Sequence, residues 1–374
     1  MSENQRIPMA EIKENEELVT GHGNEVKDKS HRKVSQKNSS ASSASDVSFV
    51  NPLMNAVRRG KSFKASFLEK IKLDEMDMIE TDNLQRNVFH YAVSKPDTLR
   101  KLLENAETKT SVQEALNQAD EEGETPIHRA AVIANIESLE MLHEYDNSLI
   151  KLKTTMGKRS VLHSAVKGRA VVVVKFVLSK DPDLVNTVDS MLQSPLHYAA
   201  SLKQSNVLEC LISKGGDTTI MDANDQLALH IAASKGLKNN VTLLLRENPD
   251  FINVIDKSLR SSLLLSAQNN FPTTVAYLLS KNADCAIQDK LELTAFDWAI
   301  SSDSPEVVQV FLDNKVWKEV VSGSHHGPEG CLKLMIETMP EMAKKLLDKC
   351  ETTEGSKESR DFQVIYDFFC LEEI

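Results

Sequence analysis

A chain of 374 residues, 41% apolar and 26% charged, has ordinary globular composition and enough length for two domains or one long array. Its formal charge of −11 gives a mildly acidic field, which argues against nucleic acid as a partner. No apolar run approaches the roughly 18 to 20 residues that cross a bilayer. The N-terminus has no apolar leader core, and five scattered cysteines (Cys210, Cys285, Cys331, Cys350, Cys370) build no disulfide framework, so the sequence predicts a soluble chain in a reducing, cytoplasmic setting.

Residues 1–48 contain twelve apolar residues and no aromatic, with a serine-rich run at Ser39–Ser45. Such a segment buries too little surface to offset its ordering entropy, and a disordered polar arm is expected. From residue 49 the sequence becomes periodic. His90, His128, His163, His197 and His230 are 38, 35, 34 and 33 residues apart, and the register runs on to Leu264 and Asp297 and back to Met54. That predicts eight units over residues 49–318.

Two residues after each marker stands a small residue (Ala56, Ala92, Ala130, Ala165, Ala199, Ala232, Ser266, Ala299), where helices can approach closely. Three residues before it stands Asn51, Asn87, Thr125, Ser160, Ser194, Leu227, Ser261 or Thr294; all but Leu227 are types that cap helices through a side-chain oxygen. Pro52, Pro126 and Pro195 follow at the first helical position, where a missing N–H costs nothing. Fourteen residues after the marker Leu142, Val177, Leu211, Leu244, Leu278 and Phe311 predict a second helix. Asp120, Asp189, Asp222, Asp256 and Asp289 open loops about five residues before the next cap, a gap that fits a short hairpin.

This period, with Thr125-Pro126-Ile-His128-Arg-Ala-Ala and Ser194-Pro195-Leu-His197-Tyr-Ala-Ala, resembles the ankyrin repeat, whose signature is Thr-Pro-Leu-His-x-Ala. The resemblance implies an all-α solenoid of helix pairs with hairpin fingers, a protein-binding function and no enzymatic activity. The last units lose the histidine, and the final one is expected to serve as a more polar cap.

Packed helices lie about 8 to 10 Å apart, whereas zinc needs ligands about 2 Å from one ion, so histidines of successive units cannot share a metal. Each ring is expected instead to tie one turn to the next repeat's backbone. His325 and His326 near Cys331 match no zinc spacing, and Gly157-Lys158-Arg159-Ser160 lacks the first glycine of a phosphate loop, since position 152 is Leu. No Gly-x-Ser-x-Gly, Gly-x-Gly-x-x-Gly or His-Glu-x-x-His pattern occurs. Neither cofactor nor metal is expected. Partner-binding candidates are the finger residues Glu121, Glu122, Glu124, Lys158, Arg159, Gln193, Asn224, Asp225, Lys257, Arg260, Lys290 and Glu292.

Residues 319–374 read as a separate extension, with one amphipathic helix over Cys331–Cys350 and an extended piece at Val364–Phe369. The residues Pro340, Glu341, Ala343, Leu347, Asp348 and Cys350, then Tyr366 and Phe368, resemble the segment that follows the array in transient receptor potential ankyrin-type cation channels. That resemblance implies a cytosolic interaction region at the inner face of a membrane, contacting channel subunits through 319–374 and having no pore of its own. The alternative is a stand-alone ankyrin-repeat adaptor.

Overall fold

The computed structural model describes residues 54, 57–58, 78–104, 109–354 and 363–366. The arm over 1–48, and the roles read at Asn51, Pro52 and Ala56, lie outside the described residues; Met54 and Val57 are buried.

Seven helix pairs follow among the described residues. The first is α1 (Val88–Ala92) with α2 (Pro96–Glu104), and an extra helix α3 (Lys109–Asn117) comes after it. The others are α4 (Pro126–Val132) with α5 (Ile136–Tyr145), α6 (Val161–Lys167) with α7 (Val171–Lys180), α8 (Pro195–Ala200) with α9 (Asn206–Ser213), α10 (Ala228–Ser234) with α11 (Lys238–Glu247), α12 (Ser262–Gln268) with α13 (Pro272–Ser280), and α14 (Ala295–Ser301) with α15 (Pro305–Asp313). Three other units close with a 3-10 turn, at Asn147–Lys151, Pro182–Asn186 and Pro249–Asn253, whereas the first closes with α3, which lengthens its spacing to 38 residues.

First helices stack on first helices and second on second, so one apolar core runs along the array. Ala130, Ala165, Ala199, Ala232 and Ala299 are fully buried at the close approaches, and Leu142, Val177, Leu211, Leu278 and Phe311 are fully buried on the second helices. Removing each of these larger second-helix side chains from water contributes roughly 1.5 to 3 kcal/mol. Gly168 marks a tight crossing: a Cβ there would lie 2.6 Å from the carbonyl oxygens of Ala131 and Val132 in the preceding repeat.

Beyond α15 lie α16 (Trp317–Ser322), α17 (Gly327–Thr338), α18 (Pro340–Cys350) and an antiparallel ribbon, β1 (Glu351–Glu354) with β2 (Gln363–Tyr366). The single helix expected over Cys331–Cys350 is thus two helices. Pro340 lacks an amide hydrogen and restricts the conformation of Met339, so the chain turns there and restarts with the proline at the first helical position. The break shifts the apolar phase: Cys331, Leu332, Met335, Met339, Ala343 and Leu346 are buried, but Ile336 and Leu347 face solvent. The boundary expected at residue 318 falls inside α16.

The extension, not the last repeat, closes the core. α17 packs on α14 and α18 on α15, while Lys345 Nζ lies 2.9 Å from Asp313 Oδ1. The extended piece is described only over Gln363–Tyr366; Asp367–Phe369 lie outside the described residues.

Candidate binding surface

The phased histidines are buried, and all but His128 are bonded through both ring nitrogens. The backbone N–H of Asn87, Ser160, Ser194 and Leu227 donates to Nδ1 of the histidine three residues on, at 3.1, 3.2, 3.1 and 3.0 Å. Nδ1 is therefore the acceptor, which places the ring proton on Nε2. That nitrogen donates to a carbonyl of the next repeat: His90 to Glu124 (3.0 Å), His163 to Gln193 (2.9 Å), His197 to Gln226 (3.0 Å) and His230 to Val254 (2.9 Å). At His128 the ring accepts from Thr125 Oγ1 at 2.8 Å, but Nε2 closes no hydrogen bond.

This corrects one reading of the caps. Thr125, Ser160 and Ser194 turn their hydroxyls to the histidine ring rather than to the helix amides, whereas Asn87, Ser261 and Thr294 cap by side-chain oxygen as expected. The ring, sitting at the third helical position, supplies the reciprocal half of a capping box. Burial disfavours the imidazolium and holds His90, His128 and His163 down to about 4, with His197 and His230 also lowered.

At the last marker Asp297 replaces the ring. Its fully buried carboxylate accepts from the Thr294 amide (2.9 Å) and hydroxyl (2.7 Å), from the Ser324 hydroxyl and from the His325 amide (3.0 Å). A histidine donates to the carbonyl that a following repeat offers; here the extension offers an N–H, and only an acceptor fits. His325 also lies 3.9 Å from Glu292, and Ser324 contacts the buried Cys331 thiol. Among the described residues no three His, Cys, Asp or Glu side chains converge as metal ligands. Burial pushes the thiols of Cys285 and Cys331 up to about 11 and about 12, so both stay protonated at neutral pH.

The loops between units form seven fingers opened by Asp82, Asp120, Thr154, Asp189, Asp222, Asp256 and Asp289, numbered here one to seven. In each except the third, the aspartate's Oδ1 accepts the amides two and four residues on, for example Met191 at 2.8 Å and Gln193 at 2.9 Å from Asp189. The residue after the opening one then donates its amide to the preceding finger: Ser190 to Gly157 (2.8 Å), Ala223 to Met191 (2.8 Å), Lys257 to Asn224 (3.0 Å) and Lys290 to Ser258 (3.2 Å). The fingers are thereby laced into one edge.

The twelve candidate residues divide into two groups. Glu121, Glu122, Lys158, Asn224, Asp225, Lys257, Lys290 and Glu292 are exposed at or near the tips. The other four stand at the finger base and brace it. Glu124 is buried, with Arg159 and Lys167 each 3.6 Å away, so it is no surface residue. Gln193 Nε2 donates to Asp222 of the next finger at 3.1 Å, and Arg260 grips Asp256 at 3.0 and 3.1 Å. Glu124, Arg159 and Gln193 have partners one repeat away, which a single-repeat reading does not see, while Arg260 pairs within its own finger.

The tips also carry apolar side chains that were not among the candidates: Leu84, Met156, Met191, Leu192, Leu259 and Leu291 are between 41 and 63% exposed. Their signal was positional. An apolar residue two or three places after a turn-forming aspartate cannot reach the core.

A family profile described as Ankyrin repeats (3 copies) matches residues 135–222, 163–256, 196–289 and 229–321, together half of the chain. This chain is a member of the ankyrin-repeat family. It is 29% identical over 298 residues to transient receptor potential cation channel subfamily A member 1 of Homo sapiens, a match covering 78% of this chain and 26% of that protein. The Drosophila melanogaster protein of the same name is 26% identical over 296 residues, covering 78% of this chain and 25% of its own length. The Caenorhabditis elegans homolog is 24% identical over 272 residues, covering 69% and 22%. The chain thus spans about a quarter of the length of the curated relatives it matches. No described helix of this ankyrin-repeat chain is long and apolar enough to cross a membrane.

Proposed function

We propose that this chain is a non-enzymatic protein-interaction region of the kind that precedes the pore in ankyrin-type cation channels. In this reading an arm over 1–48 leads into the array, the finger edge receives partners, and the extension after α15 contacts channel subunits on the cytoplasmic side of a membrane. The observation that carries it is the likeness to three channel proteins from human, fly and worm, each over 69 to 78% of this chain. The docking of α17 and α18 on the last repeat supports it, because a rigid extension is suited to passing strain from an array to whatever follows.

An antibody raised against residues 163–256 tests the reading on protein from its native cell. A band far above 41.7 kDa that sediments with membranes and co-precipitates channel subunits is expected. A soluble 41.7 kDa species free of channel subunits would favour the stand-alone adaptor instead.

A further inference from the structure

The third to seventh fingers combine three properties that folding does not require. First, their amides form a continuous ladder from Gly157 to Lys290, so the tips keep a fixed spacing. Second, Leu192 (φ 57°) and Leu259 (φ 62°) hold left-handed backbone that bulky side chains rarely adopt, yet they are 50% and 42% exposed. Every finger is left-handed at this place: it holds Gly123, Gly157 and Asp225 in the second, third and fifth, types at ease there, and Gln85 (φ 55°) and Glu292 (φ 62°) in the first and seventh, polar chains that solvent accepts. A leucine there is strained and gains little burial, so its advantage lies outside the fold. Met156 and Leu291 extend the apolar track to either side, at 63% and 55% exposure.

Third, the track is flanked by exposed lysines, Lys153, Lys158, Lys257 and Lys290. The exposed acids beside it are fewer: Asp225, which already faces Lys257 at 4.0 Å, and Glu292. Positive charge is therefore left over between apolar contacts.

We propose that fingers three to seven form a docking track for an extended, acidic polypeptide that places an apolar residue, about three positions apart, on each finger except the fifth, whose tip is Asn224 and Asp225. The spacing follows from the repeat: stacked helices stand roughly 8 to 10 Å apart, about three residues of extended chain at roughly 3.3 Å each. Five fingers then take a segment of about 12 residues. The charge surplus selects acidic residues between the apolar ones, and the strained leucines serve as anchors. This deepens the protein-binding reading above and rests on it.

The probe is a fluorescein-labelled 13-residue peptide with leucine at positions 1, 4, 10 and 13, asparagine at position 7 and glutamate or aspartate between, compared with a counterpart carrying lysine in place of the acids. Fluorescence anisotropy with the full chain should show saturable binding of the acidic peptide that weakens from 0.05 to 0.5 M salt, and none of the basic one. Leu192→Asn with Leu259→Asn should lower affinity tenfold or more while leaving the melting temperature unchanged or higher, because asparagine tolerates left-handed backbone. Absence of saturable binding overturns the proposal, as does equal binding of both peptides. So does undiminished affinity in the double variant, or a fall in its melting temperature that accounts for the loss. Light scattering that shows a dimer dissolved by the same substitutions would assign the track to a second copy, and anionic vesicles captured in place of the peptide would assign it to a lipid surface; either result rejects it. Failure here with channel subunits still co-precipitating would leave the broader function standing and place its site elsewhere.

Discussion

His163 joins two repeats through one ring: Nδ1 receives the Ser160 amide and hydroxyl, and Nε2–H reaches Gln193 in the next unit. Replacing it by alanine strands these buried partners, so His163→Ala should cost about 1 to 3 kcal/mol in urea unfolding at pH 7. An unchanged midpoint would show that water satisfies them. A second expectation concerns acid. Burial holds His90, His128 and His163 at about 4 in the folded chain, against about 6.5 when unfolded. Between those values the unfolded chain binds protons that the folded chain refuses, so stability should fall as pH drops from 6.5 toward 4, by up to about 1.4 kcal/mol per histidine per pH unit. His163→Ala should flatten that slope, and a wild-type stability constant from pH 6.5 to 4.5 would contradict the neutral, buried rings. The sequence revealed these histidines by their spacing, and the tie to the next repeat was expected. That the ring also caps its own helix was not legible, because Ser160 and Ser194 are good capping types whether or not they cap.

At the scale of an element, polar residues at the starts of second helices close the carbonyls that the preceding repeat leaves open. Fully buried Asn240 in α11 donates to Ala200 (3.0 Å) and Leu202 (2.8 Å), and Ser138 in α5 donates to Val93 (2.8 Å). Asn240→Ala should therefore cost about 2 kcal/mol, measured as a lower denaturation midpoint with unchanged slope, since one buried and one part-buried acceptor lose their donor. A cost near zero would mean that the α8–α9 turn reaches water. Helix pairs were readable because their apolar and small residues repeat in phase. The α17–α18 break was less readable: eleven apolar residues in Cys331–Cys350 suggest one broad face, and only Pro340 signals that the face splits. The apolar residues at the finger tips were passed over for a different reason. Hydropathy treats Leu192 and Leu259 as core residues, while their exposure follows from an aspartate turn that points them outward.

Across the whole molecule, a stack of repeats is stable only where each interface has a neighbour, so its ends decide how it unravels. Here the C-terminal end is covered by α16, α17 and α18, and Asp297 is bound to Ser324 and His325 of the loop between α16 and α17. A chain cut after Lys318 would uncover Val308, Phe311 and Leu312, all fully buried, and would strip two donors from a buried carboxylate. Such a chain should melt lower, on the order of 5 to 10 °C, and bind a hydrophobic dye. Because each repeat leans chiefly on its neighbours, the loss should be graded along the array. Hydrogen exchange should show α14 and α15 losing protection first, with α6 to α9 retaining theirs. Equal protection throughout, in a cut chain that melts like the full one, would mean that the extension only rests on the array. Asp297→Asn in the full chain separates the two contributions at that joint: it removes charge but keeps one acceptor oxygen, so it should weaken the same helices by less than the cut does.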